Sequence, residues 1–130
     1  MARFGVRLDG MKELEKEFDE LMREAPDLAD KAVRKGAEVV LEKEREQLAP
    51  GSGHPYATGD LAGKLTIRMG KGQARIGAFG RHAAKGCWIE FGHGGPRPAP
   101  AHPFMEPAWI GAQDEALEAI ADAVKEALGV

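Results

Sequence analysis

Residues 92–103 read Gly-His-Gly-Gly-Pro-Arg-Pro-Ala-Pro-Ala-His-Pro, three glycines and four prolines in twelve positions. No β-ladder survives that many missing amide hydrogens, so any sheet must end before this segment. Beyond it, Pro107 opens a helical pattern in which Trp109, Gln113, Leu117, Ile120, Val124 and Leu128 fall on one side. All but Gln113 are apolar.

Upstream, the pattern changes three times. Phe4 to Leu8 alternates apolar and other residues and predicts a short first strand. Asp9 or Gly10 can cap a following helix, in which Met11, Leu14, Phe18, Leu21 and Met22 share a stripe opposite Lys12, Glu15, Lys16 and Asp19. Pro26 punctuates, and a second helix is expected from about Asp27 to Leu48. Its apolar side is Leu28, Ala32, Val33, Ala37, Val40, Leu41 and Leu48. Gly36 costs this helix about 1 kcal/mol relative to Ala, which points to close packing there.

Ala49-Pro50-Gly51 ends that helix, and residues 51–60 are loop by composition. Two alternating runs around Gly70-Lys71-Gly72 predict a β-hairpin. A helical turn is expected at Arg81 to Lys85, then a further strand at Cys87 to Phe91 with Cys87, Ile89 and Phe91 on one side. The fold class is therefore α+β: a small antiparallel or mixed sheet packed against two to three helices, with a long C-terminal helix, as one domain over 1–130.

Hydrophobic residues at 43% and charged residues at 30% exclude a disordered chain. Cys87 has no partner for an internal disulfide, and no apolar stretch is long enough for a leader or a membrane helix, so the cytosol is the expected compartment of synthesis, with no membrane partner. Charge is uneven. Residues 51–105 hold 7 basic and 2 acidic side chains, whereas 106–130 hold 1 basic and 6 acidic. A basic middle between acidic ends suits either attraction between subunits or a polyanion.

Three chemical readings compete with a structural role. Gly86-Cys87-Trp88 is similar to the nucleophile segment of papain-like proteases, but it lacks the neighbouring Cys and sits in a strand pattern, where a buried thiol is the plainer role. His54, His82, His93 and His102 show none of the spacings that set metal ligands together, so no metal and no cofactor is expected. Lys64, Arg68, Lys71, Arg75, Arg81 and Lys85 can neutralise phosphates, which makes a small nucleic-acid-binding module using residues 64–85 the alternative function.

Three islands carry a family resemblance. They are Leu48-Ala49-Pro50 with Thr58-Gly59-Asp60-Leu61; His82-Ala83 with Ile89-Glu90-Phe91-Gly92; and Pro103-Phe104-Met105-Glu106-Pro107-Ala108. In this order they resemble the gene-ten-like neck family of long-tailed bacteriophages, the head–tail connector or tail-completion proteins. His93 stands where that family usually has Thr, His82 where Tyr is common, and Glu106 where Arg is common. The resemblance implies a virion structural protein, made in the host cytoplasm, that forms a homo-oligomeric ring, sixfold by expectation. The ring would sit at the head–tail junction between connector and tail-tube proteins, with unspecific DNA contact and without catalysis. Partner contacts are expected in the loops, at His54, Tyr56, Thr58, His93, Arg97 and His102, and charged contacts at Lys64, Arg68, Arg75 and Arg81. Gly59, Leu61, Glu90, Phe91, Gly92, Phe104, Pro107 and Trp109 are expected to be structural, with Gly59 and Gly92 in conformations that a Cβ would strain.

Overall fold

The computed structural model describes residues 12–95 and 98–129. Helices α1 (Lys12–Glu24) and α2 (Pro26–Leu48) are followed by strands β1 (Thr66–Gly70) and β2 (Gln73–Gly77), then α3 (Ala83–Phe91) and α4 (Met105–Leu128). Short 3₁₀ turns at Ala62–Lys64 and Gly80–His82 lead into β1 and α3. The fold is α+β, a two-stranded antiparallel sheet packed against several helices that include a long C-terminal one. The first strand expected at Phe4 to Leu8, its capping residues and Met11 lie outside the described residues, as does Arg97.

Pro26 occupies the first turn of α2, where a missing N–H costs nothing. Leu14, Phe18, Leu21 and Met22 of α1 pack with Ala29 and Ala32 of α2 and Val124 of α4. On α2 the buried stripe runs Ala29, Ala32, Gly36, Ala37, Val40, Leu41 and Leu48, while Leu28 is exposed. On α4 it runs Ala108, Ala112, Ala116 and Val124. Trp109, Gln113 and Leu117, expected on that stripe, lie half-buried at its edge. The reason is space. A Cβ built on Gly36 would stand 2.6 Å from the Ile120 side chain and 3.1 Å from the Ala116 carbonyl oxygen. Helices approaching this closely put alanines in the seam and larger side chains beside it.

The hairpin has the expected place and turn. Ile67 pairs with Ile76 and Met69 with Ala74, and these half-buried residues alternate with exposed ones on the other face. Lys71-Gly72 closes the turn, and the Gly72 N–H donates to Asp30 Oδ1 of α2 at 2.8 Å. At the other end Arg45 Nη2 donates to the Leu65 carbonyl at 3.1 Å. The hairpin is thereby held along α2 at both ends.

The strand expected at Cys87 to Phe91 is a helix. Ala83-Ala84-Lys85 are good helix formers, and the 3₁₀ turn before them supplies a nucleus, so the apolar run continues the helix. A short apolar run by itself does not distinguish the two states. Faces change accordingly: Ile89 and Glu90 are buried, Cys87 is half-buried, and Phe91 and Trp88 are 54% and 55% exposed. Leu41, Leu48, Leu61, Leu65, Ile89 and Phe104 form the main core at this end of the molecule.

Gly36→Val should overpack the α2–α4 seam and lower the unfolding free energy by roughly 1–3 kcal/mol. Equilibrium denaturation followed by circular dichroism measures this, with the far-ultraviolet spectrum of the folded variant unchanged.

Candidate interface and the junction that supports it

Of the residues expected to be structural, Glu90, Gly92 and Phe104 lie at one junction and Leu61 in the core beside it. Phe91 is 54% exposed, Pro107 is exposed, and Trp109 packs on the α2–α4 seam instead. Phe104 takes the N-cap position of α4, and its side chain can accept no hydrogen bond. The helix therefore begins without a local cap. Glu90, from the last turn of α3, replaces it: Oε2 accepts from the Phe104 N–H at 2.7 Å and from the Met105 N–H at 2.8 Å, and Oε1 accepts from the Glu106 N–H at 2.9 Å. Glu90 is only 2% exposed, and its charge faces the positive end of the α4 dipole. Phe104, 0% exposed, fills the core beneath.

Gly92 completes the junction. Its φ is +75°, and a Cβ there would lie 2.8 Å from the Ala99 carbonyl oxygen and 2.9 Å from the Ala101 nitrogen. Both the angle and the approach require glycine. The His102 N–H donates to the Ile89 carbonyl at 2.7 Å, and His93 and Ala99 exchange a pair of backbone hydrogen bonds at 3.0 and 2.9 Å. That isolated bridge is the one pairing among the described residues of this loop. Gly59, at φ +84°, turns the chain ahead of buried Leu61.

The two candidate partner loops meet beside this junction. The Tyr56 N–H donates to His54 Nδ1 at 3.1 Å, so the proton of His54 resides on Nε2, which donates to the His102 carbonyl at 2.8 Å. The Tyr56 and His102 rings lie 5.8 Å apart. Thr58 Oγ1 accepts from the Asp60 N–H, an internal turn contact. His93 stacks obliquely on Trp88 with centroids 5.5 Å apart. His54, Tyr56 and His102 thus form one group, whereas His93 belongs to the exposed face of α3 with Trp88.

The basic residues divide. Lys64 and Lys85 both bind Asp60, at 3.2 and 3.1 Å, and their ammonium groups hold that exposed carboxyl below the usual range, with the Lys85 hydrogen bond the larger cause. Arg68, Arg75 and Arg81 are exposed and make no ion pair among the described residues. The Arg68 guanidinium lies 4.4 Å from the centroid of buried Phe79. Trp88 is exposed on α3 and contributes nothing to the core. No hydrogen bond joins Cys87 to a histidine, and no three His, Cys, Asp or Glu side chains are placed to hold a metal ion, among the described residues.

One important residue carries no sequence signal beyond being a polar member of a helix stripe. Glu44 of α2 is 3% exposed, and its Oε2 has no hydrogen-bond partner. Burial, and secondarily the charge of Glu90, push its carboxyl up to about 8. Compared with protein families, with curated proteins and with solved structures, the chain matches none of them.

Glu90→Ala should leave the buried Phe104 N–H and the part-buried N–H groups of Met105 and Glu106 without this acceptor and cost roughly 3 kcal/mol in denaturation. The Glu44 proton is held more tightly in the folded chain than in the unfolded one, where the pKa is near 4.5. The stability it contributes is complete below that value and is lost as pH rises through about 8, on the order of 5 kcal/mol at the upper end. Glu44→Gln should remove this decline, so that the variant overtakes the wild type in denaturation midpoint above neutral pH.

Proposed function

We propose that this chain is a structural assembly protein of a long-tailed bacteriophage or prophage, a neck or tail-completion component that joins head to tail as an oligomeric ring. The observation that carries this reading is the junction of Glu90, Gly92 and Phe104. Two of the sequence islands that resemble the neck family, separated by a proline-rich loop, form a single packed unit through the Glu90 carboxylate. The island at Thr58 to Leu61 adds Leu61 to the same core as Phe104.

In this reading the domain acts by shape and performs no catalysis. The rigid junction anchors the loops at 51–60 and 92–103, which contact neighbouring rings of the connector and tail tube. Side chains for such contacts are at hand. Tyr56, Trp88 and Phe91 are large, exposed and close in sequence or space to these loops. Exposed aromatic groups of this kind commonly supply interface anchors. The protein resides in the host cytoplasm before assembly and at the head–tail junction afterwards. Among the described residues no helix is long and apolar enough to cross a membrane.

A nucleic-acid-binding module is the second reading, favoured by exposed Arg68, Arg75 and Arg81, which have no ion-pair partner among the described residues. Lys64 and Lys85 are engaged with Asp60, and Phe79 is buried beneath Arg68, which removes it as a stacking platform.

Particles made by a phage lacking this gene should comprise filled heads and separate tails in negative-stain images, and supplying the gene in trans should rejoin them. Normal joined particles in the deletion would end the neck reading.

A further inference from the structure

Two exposed surfaces carry like charges in positions that repel within one chain. On the hairpin, Arg68 and Arg75 are direct cross-strand partners on the outward face, an arrangement that destabilises an antiparallel pair. On α4, Asp114, Glu118, Asp122 and Glu126 follow one another at four-residue steps, each exposed, with exposed Ile110 one step ahead. Like charges at this spacing destabilise a helix. None of these six charged groups has an ion-pair partner among the described residues.

We infer that these two faces are the two halves of one contact between copies of this chain: the Arg68–Arg75 face of one copy docks on the Asp114–Glu126 row of the next. The inference rests on the oligomeric reading above and names the surfaces that would build the ring.

Charge complementarity selects a second copy as the occupant. An opposite face brought to either surface turns its internal repulsion into attraction, and one head-to-tail contact does this for both surfaces at once. A polyanion would relieve only the arginine pair and leave the α4 row as it is. The helix row spans about 18 Å at 1.5 Å per residue, long enough for the hairpin face to lie along it. Ile110, 65% exposed, gives the row an apolar end that a purely solvated acidic face does not need. Because the two surfaces differ, the contact is heterologous, and repetition closes a ring or extends a filament.

The test uses the full chain and two charge-reversal variants, Arg68→Glu with Arg75→Glu, and Asp114→Lys with Glu118→Lys. Sedimentation at low ionic strength should show the wild type self-associating. Each variant alone should lose at least about tenfold in association. A one-to-one mixture of the two should reassemble, since each supplies the face complementary to the other. A monomeric wild type, a variant that assembles as the wild type does, or a mixture that stays dissociated would each overturn the inference. So would capture of duplex DNA by the wild type, lost on reversing the arginines with no change in oligomer mass. Intact wild-type rings insensitive to the reversals would reject this contact while leaving the neck reading in place.

Discussion

A carboxylate buried between two helices organises this end of the molecule. α4 begins at a phenylalanine that cannot cap it, and the orphaned N–H groups of its first turn are satisfied by Glu90 from α3. Unpaired, the fully buried Phe104 N–H would cost more than the net gain of an ordinary hydrogen bond, and the part-buried amides of Met105 and Glu106 would add to that loss. The same contact fixes where Phe104 enters the core and how tightly the loop before it must fold back. Gly92 is then obligatory, since the returning chain passes within 3 Å of where its Cβ would be. The loops expected to meet partners are anchored on this junction.

Burying Glu90 has a consequence on α2. Glu44 is pushed toward its neutral form first by its own burial, and the nearby Glu90 carboxylate adds to that shift. The folded chain responds by holding the Glu44 proton to unusually high pH. The junction thus couples the α3–α4 connection to the protonation state of a third helix.

Much of the fold is legible in the sequence because it follows from period and punctuation. The amphipathic stripe of α1, the proline start of α2 and the hairpin around Lys71-Gly72 appear where those signals put them, and the closing helix is present but begins at Met105, two residues before Pro107. Gly36 indicated a close helix approach, and Ile120 and Ala116 supply it. The run at Cys87 to Phe91 misleads because five apolar-rich residues fit either period, and its helical state depends on the preceding alanines and on Glu90 needing to face inward. The α4 stripe shifts by one residue because close packing favours alanine over the larger side chains that periodicity weights most. Glu90's capping role was not legible at all, since the N-cap of the helix it serves lies fourteen residues later. A helix start with no Ser, Thr, Asp or Asn nearby is the trace it leaves in the sequence. For Glu44 even that trace is missing.

Amide hydrogen exchange at Phe104, Met105 and Glu106 tests the junction most directly. Exchange at these three positions should be as slow as in the centre of α2, and Glu90→Gln should accelerate it selectively while the α2 amides keep their protection relative to global stability. Rapid exchange at the three amides in the wild-type protein, or protection unchanged by the substitution, would contradict the role assigned to Glu90.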